Sequence, residues 1–343
     1  MNLALNIKYL AILFFLLTAT AIAGNYIETF PNANNNNYLN AEINNLGHVE
    51  IKAYMCRIDD CEQIYINQIN KAKESLHCAF FEYNLEDLNN AINSKKINKL
   101  LLIDRNSRFF NESFDYIVYD KRSAYMHNKF CIIDEKITIT GSFNPTISEK
   151  NNNDNNVLII NSPEISEIYT LYFKELIKEQ QSVERYRHQI EKRHYLKFIN
   201  ANISICFSRG GNCLDLIRKE VAKTEFDVKF MLFTMTDSSI ANMLLLKHYL
   251  GINVEGMFET FLISRHSSYN IMNFHNTSVI RYRSPGKLHH KVFIIDNETV
   301  IAGSMNPSHN ADNNNDENLI IIQNKEIASI YLQEYKRLKL TQI

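Results

Sequence analysis

The sequence predicts an α/β protein built from two similar α-β-α sandwich halves, packed as a pseudo-dimer with one site at their interface. Three observations predict it. A constellation occurs twice at identical spacing: His127-Asn128-Lys129, Asp134 and Gly141-Ser142-Phe143-Asn144, then His289-His290-Lys291, Asp296 and Gly303-Ser304-Met305-Asn306. Around each copy, amphipathic helical stretches and short apolar runs alternate in one order, as in a layered α/β fold. The runs Phe130–Asp134 and Val292–Asp296 are continuous rather than alternating, as strands buried on both faces are.

The chain has 343 residues, enough for two domains at roughly 100–200 residues each. Residues 1–23 read as a signal peptide. Lys8 precedes the apolar run Tyr9–Leu17, and Ala21-Ile22-Ala23 stands before Gly24. The run is shorter than the roughly 20 apolar residues of a membrane span. An exported protein, periplasmic or secreted, is expected. Residues 24–48, with the tract Asn32–Asn37, read as a flexible leader.

The first half is expected at 49–179 and the second at 201–343. Each opens with a strand, Val49–Met55 or Ile203–Phe207. A helix follows, Cys61–Ser75 or Cys213–Thr224; in the first, Ile64, Ile66, Ile69 and Ala72 fall near helical spacing. Then come a strand (Leu76–Tyr83; Val228–Thr234), a helix (Leu85–Ser94; Ser238–Tyr249) and a strand (Lys99–Asp104; Asn253–Phe258). The motif region supplies the strands Ile137–Thr140 and Thr299–Ala302, ended by Gly-Ser-x-Asn-Pro. The strands Val157–Ile160 and Leu319–Ile322 and the helices Pro163–Glu179 and Lys325–Leu338 finish the units. The connector, 180–200, carries Arg185, Arg187, Lys192, Arg193 and Lys197 and reads as a solvated helix.

Six cysteines fit an exported chain. The close pairs predict the disulfides Cys56-Cys61 and Cys206-Cys213, each pinning the turn between a strand and the next helix. Cys78 and Cys131 lie in apolar runs and read as buried free thiols. A net charge of -1 neither favours nor excludes an anionic polymer as substrate, because a basic groove can hide in a neutral total.

Residues two apart on an extended segment share a face, so His127 with Lys129, and His289 with Lys291, would point together into a cleft. Asn128 and His290 would point away. Two histidines are the minimum set for breaking a phosphodiester in two steps. A neutral imidazole attacks phosphorus, and a second, protonated ring gives its proton to the leaving alkoxide. The lysines place fixed charge where phosphoryl oxygens gather negative charge. Ser142, Asn144, Ser304 and Asn306 are expected to donate to the same oxygens. This chemistry requires no metal and no cofactor. His266, His275 and His309 read as surface or substrate-loop residues.

The duplicated pattern resembles the phospholipase D superfamily and its His-x-Lys-x4-Asp-x6-Gly-Ser-x-Asn motif. Both copies match every specified position, and the opening cysteines with Met126–Asn144 look closest to the secreted or periplasmic bacterial branch. The resemblance implies catalytic roles for His127, Lys129, His289 and Lys291, with His127 as nucleophile and His289 as general acid. It counts Asp134 and Asp296 in the motif, in a supporting role. It also implies that Glu317, in Asp316-Glu317-Asn318, orients a catalytic histidine. Asn155 stands at the matching place in Asp154-Asn155-Asn156 and brings no charge, so the two histidines are expected to be electrostatically unequal.

The expected function is an exported phosphodiesterase that hydrolyses glycerophospholipids to phosphatidic acid and an alcohol. The apolar and aromatic stretch Gly256–Tyr282 is a candidate acyl-chain groove, and otherwise core. The alternative is an endonuclease using the same site; phosphatidyl transfer, as in cardiolipin synthesis, and an inactive binding scaffold follow. The expected partner is phospholipid or a membrane surface, with nucleic acid under the alternative. No protein partner is required, because one chain supplies both half-sites.

Overall fold

The computed structural model describes residues 40–107, 114–182 and 188–342. The expected signal peptide and the leader up to residue 39 lie outside the described residues. The first half runs β2 (Glu50–Met55), α1 (Cys61–Lys71), β3 (Ser75–Phe80), α2 (Glu86–Ser94), β4 (Asn98–Ile103), β5 (Ile117–Tyr119), β6 (Lys129–Ile133), β7 (Ile137–Gly141), α3 (Ile147–Asn151), β8 (Asn156–Asn161) and α4 (Pro163–Gln181). The second runs β10 (Asn202–Phe207), α5 (Cys213–Lys223), β11 (Asp227–Leu232), α6 (Ser238–Tyr249), β12 (Asn253–Glu259), α7 (Ser268–Phe274), β13 (Ser278–Tyr282), β14 (Lys291–Ile295), β15 (Thr299–Gly303), α8 (His309–Asn313), β16 (Asn318–Gln323) and α9 (Lys325–Leu340).

The two sheets share one topology. The first is ordered β2-β8-β7-β6-β3-β4-β5, and the second contains the same series, β10-β16-β15-β14-β11-β12-β13. The second is extended at its β10 edge by β9 (Arg193–Phe198) and β1 (Asn40–Leu46), which pair in parallel. Two expectations are corrected here. The end of the leader is a strand, and the end of the connector is a strand rather than a helix. Leu196 and Phe198 are buried while Lys197 between them is exposed, the period of a half-buried strand. The basic residues around them obscured it. The added strands cover the edge of β10, which would otherwise present unpaired backbone groups.

Three apolar clusters give the layers. One joins the inner faces of both sheets through Ile165, Tyr169 and Phe173 of α4 and Ile327, Tyr331 and Tyr335 of α9. The others lie under the outer helices, with Tyr65, Ile69, Leu88 and Ile92 in the first half and Ile217, Val221, Ile240 and Leu244 in the second. Each such side chain contributes roughly 1.5–3 kcal/mol on burial. Local signals set the helix starts. Ser162 accepts from the Ile165 N–H ahead of Pro163, and Asn324 accepts from Ile327 N–H.

The cysteines pair as Cys56–Cys61 and Cys206–Cys213, with Cα separations of 5.2 and 5.8 Å. Cys78 and Cys131 are not free thiols. They face each other across the antiparallel pair β3/β6 and form a third disulfide, with Cα atoms 4.1 Å apart. The strands are far apart in sequence, so the contact was invisible without the sheet order. The second half fills this ladder position with Phe230 opposite Phe293, their rings 5.9 Å apart. Room for Phe230 comes from Gly256 on the next strand, where a Cβ would sit 2.0 Å from the ring.

Candidate active site

Each His-x-Lys segment runs into a central strand, its lysine being the first strand residue, and is stitched to a loop of the opposite half. The His127 N–H donates to the Asp316 carbonyl at 2.9 Å, and the His289 N–H to the Asp154 carbonyl at 2.9 Å. Asp316 and Asp154 donate in return to Tyr125 and Lys287, at 2.9 and 2.8 Å. These bridges bring both motif copies to one place.

The side chains continue the crossing. His127 Nδ1 lies 2.8 Å from Glu317 Oε2. His289 Nδ1 lies 2.9 Å from Asn155 Oδ1 and 3.3 Å from Glu149 Oε2. All three partners are acceptors, so each Nδ1 carries the proton and each Nε2 keeps its lone pair. Phe81 and Phe233 meet the two rings edge-on, with centroids at 4.7 Å in both cases. Lys129 Nζ donates to the His127 carbonyl and lies 5.0 Å from the Phe81 ring; Lys291 Nζ donates to the His289 carbonyl at 2.6 Å and lies 4.8 Å from the Phe233 ring. The histidines are 8% and 5% exposed and the lysines 0% and 2%, so the charges sit at the floor of a site that barely touches solvent.

Burial governs the electrostatics. It pushes His127 below its ordinary value, with Glu317 pulling the other way and Lys129 adding to the fall. It takes His289 down to about 3, against the pull of Glu149. Both rings are therefore neutral in the empty site. Burial brings Lys129 to about 8; burial and the repulsion of Lys129 hold Lys291 well below the usual lysine range. Burial raises the Glu149 carboxyl, but His289, Asn155 and Lys291 outweigh it and hold it at about 2.

Other predicted site residues stand elsewhere. Ser142 and Ser304 are hydrogen-bonded to the orienting residues. Ser142 Oγ donates to Asn155 Oδ1 at 3.1 Å, and Ser304 Oγ to Glu317 Oε2 at 2.6 Å, while each accepts from the N–H of Asn156 or Asn318 at 3.0 Å. The preceding Gly141 and Gly303 have φ of 146° and 128°, and a Cβ there would meet the carbonyl of Asn156 or Asn318 at 2.3 or 2.4 Å. Only glycine lets the strand approach this closely. Asn144 Nδ2 donates to Glu149 Oε1 at 3.3 Å. Among the described residues, the Oδ1 atoms of Asn144 and Asn306 are buried without a hydrogen-bond partner.

Asp134 and Asp296 are not brought to the histidines. Asp134 accepts from the backbone N–H of Lys73, Glu74 and Ser75 at 2.7–3.1 Å, and Asp296 from Glu225, Phe226 and Asp227 at 2.9–3.0 Å. Each closes the turn between a helix and a strand. This is why α1 stops at Lys71, short of the expected Ser75.

Asn128 and His290 turn away from the cleft and close the joint between the halves. Asn318 Nδ2 donates to Asn128 Oδ1, and Asn156 Nδ2 lies against His290 Nδ1, both at 3.0 Å. His290 Nε2 lies 3.3 Å from Glu334. His266 and His309 are exposed, and His275 is half-buried. Within Gly256–Tyr282, Met257, Phe258, Tyr269 and Met272 are core, whereas Phe261 is 80% and Phe274 76% exposed.

Sequence reasoning missed Glu149. A shift of 162 residues, which lays His127 on His289, lays Glu149 on Ala311 and Asn155 on Glu317. Two departures from the repeat six residues apart were the available signal.

A family model described as "Cardiolipin synthase, PLD-like domain" matches residues 65–177 and 217–339, one stretch in each half and together more than half of the chain. The chain belongs to the phospholipase D superfamily. At that level it is a phosphodiesterase. Its relatives include Phospholipase D of Rickettsia prowazekii, 30% identical over 173 residues that make up 50% of this chain and 84% of that protein. Human mitochondrial cardiolipin hydrolase is 24% identical over 130 residues, 38% of this chain and 52% of the relative. The crystal structure of phosphatidylserine synthase from Haemophilus influenzae shares the fold, with a TM-score of 0.63 at 11% identity over 84% of this chain and 86% of that one. In phospholipase D terms, the two motif histidines stand with their Nδ1 atoms turned to acceptors from the opposite half.

Proposed function

We propose that this chain is an exported phospholipase D that hydrolyses glycerophospholipids to phosphatidic acid and an alcohol. The crossed pairing of His127 with Glu317 and of His289 with Asn155 and Glu149 carries the reading. It leaves two Nε2 atoms without a proton in a site where two buried lysines supply positive charge.

In the first step His127 Nε2 attacks phosphorus, forming a P–N bond while the P–O bond to the alcohol breaks. His289, protonated once the anionic substrate offsets the cost of its charge, gives the Nε2 proton to the leaving oxygen. In the second step water attacks phosphorus and gives a proton to His289, and the P–N bond breaks. Lys129 and Lys291 stabilise the phosphoryl oxygens as charge gathers on them.

The preference for lipid rests on the rim of the second half. The stretch Thr260–Lys287 contains Arg265, Arg281, Arg283 and Lys287 and no Asp or Glu. It exposes Phe261 just after Glu259, whose carboxylate accepts from the N–H of Leu288, the neighbour of His289. Apolar side chains among cations suit an anionic lipid surface. The names of the relatives agree with this substrate class.

The test incubates purified protein in EDTA with mixed phospholipid vesicles and, separately, with plasmid DNA, alongside His127→Ala. Phosphatidic acid released by the wild type and not by the variant supports the proposal. Nicked DNA with intact lipid transfers the same site to a nuclease.

A further inference from the structure

We propose that Glu149 is the positioning residue of His289, supplying the negative charge that position 155 lacks. The inference rests on the phosphodiesterase reading above. In the second half a single side chain, Glu317, both touches the ring of His127 and brings charge. In the first half those duties are divided. Asn155 Oδ1 touches His289, and Glu149 brings the carboxylate.

The geometry assigns Glu149 two actions. Its Oε2 lies 3.3 Å from His289 Nδ1, close enough to stabilise an imidazolium in a site that excludes water. It also accepts a hydrogen bond from Asn155 Nδ2. A carboxylate only accepts, so this bond turns the amide nitrogen of Asn155 toward Glu149 and its oxygen toward His289. Without Glu149 the amide could flip, present N–H to the ring and invert the tautomer. Nε2 would then carry the proton of the neutral ring, and the water-activating step would lose its base.

Glu149 is held for this task. It is 6% exposed, its N–H is bonded to Thr146 Oγ1 at the start of α3, and its other oxygen accepts from Asn144 at 3.3 Å. Ala311 stands at the corresponding place in the second half, where Glu317 makes a second carboxylate unnecessary. The charged groups that act most strongly on His289 are Glu149, Lys291 and Lys129. Of these three, Glu149 favours the charged ring.

The experiment compares Glu149→Ala, Glu149→Gln and the double variant Glu149→Ala/Asn155→Glu in the full chain. kcat and KM are measured across pH on phosphatidylcholine in mixed micelles, whose alkoxide leaving group needs a proton, and the His289 ring nitrogens are followed by 15N NMR. Glu149→Ala should lower kcat on the order of 10²-fold, with KM changed by less than about threefold. Its activity limb assigned to the His289 imidazolium should move to lower pH, because the favourable charge is gone. Glu149→Gln should lose activity with an unchanged melting temperature. The double variant, which rebuilds the arrangement of the second half, should recover at least about tenfold of the loss.

Wild-type kcat and pH profile in Glu149→Ala overturn the proposal, as does a double variant no better than the single one. The NMR arm separates this from failure of the phosphodiesterase reading. If the wild type cleaves no phosphodiester, that reading falls; a His289 titration and tautomer unchanged by Glu149→Ala would overturn the positioning role on their own.

Discussion

The two halves reach the same local charge by different residues. Each lends the other's histidine one carboxylate, Glu317 to His127 and Glu149 to His289. In the second half the carboxylate stands next to the strand β16; in the first it comes from α3, and Asn155 stands next to β8. Position-by-position reading of the repeat therefore finds one carboxylate where the folded site has two. The rings are still not made equal, since burial lowers His127 and takes His289 down to about 3. A buried imidazole needs an acceptor and a nearby charge, and geometry does not require one residue to provide both. What this duplicated site keeps is a carboxylate beside each ring.

The largest effect separates the two rings. His127→Ala and His289→Ala should each lower turnover on the order of 10⁴-fold, because nucleophile and acid act as a unit. Acid-stable adducts are not expected, so the chain is quenched at alkaline pH after brief exposure to labelled substrate. Label should remain on His127 in the wild type and in His289→Ala supplied with an activated leaving group. Label on His289 instead would reverse the two roles.

Next comes the directness of contact. Glu317→Ala removes charge and hydrogen bond together, and it takes the nearer of two acceptors from the hydroxyl of Ser304. Its loss of kcat should be on the order of 10²-fold or more and should not be rescued by a carboxylate at 311 alone, since Asn315 and Ser304 are built around position 317. Equal rescue by Ala311→Glu would show the two arrangements to be freely interchangeable, against the comparison drawn above.

A smaller effect concerns pH. Burial holds Lys129 at about 8. A lysine with a lowered value is charged below it and neutral above it, so kcat/KM should fall as pH rises through about 8, by up to about tenfold per unit. Bound phosphodiester favours the charged form, so the limb in kcat should lie at higher pH. Lys129→Arg should remove the part of the limb that belongs to Lys129 if it folds, since guanidinium stays charged. It should leave the part that belongs to Lys291, which burial and the neighbouring cation also hold low. A flat kcat/KM to pH 10 in the wild type would mean that the lysine charge is not needed.

Much of this was legible in the sequence. The paired motif gave the two halves, the order of elements and the four His and Lys side chains that meet. Glycine before Ser142 and Ser304 could be read as structural punctuation, though its reason, the close pass of a neighbouring carbonyl, needed the sheet. What stayed hidden depended on partners distant in sequence. The Cys78–Cys131 bond requires knowing that β3 lies beside β6, and the serine hydroxyls are hydrogen-bonded to Asn155 and Glu317. Glu149 was hidden because it answers to His289, 140 positions away. The strands β1 and β9 were hidden by composition, since Asn and basic residues are weak markers of a sheet edge.

The smallest expected effect on turnover is at the two aspartates, and it decides what the third letter of the motif means here. Each carboxylate accepts three backbone N–H groups of a turn on the far side of the strand from its histidine. Replacing Asp134 by Ala strands those donors and should cost about 1–3 kcal/mol of stability. Turnover below the melting transition should stay within about twofold of wild type, as for any change that leaves the transition-state contacts intact. Burial raises the Asp134 carboxyl, but the N–H groups of Ser75, Glu74 and Lys73 together prevail and lower it. A group depressed in the folded state stabilises fully above its unfolded value, about 4, and loses that contribution as pH falls through the native value. The wild type should thus lose more stability than Asp134→Ala between pH 5 and pH 3, as denaturant titration would show. Asp296→Ala should match it in turnover, because the second half builds the same turn. A collapse of kcat in either variant at full folding would return these residues to the catalytic set and break the symmetry of the two turns.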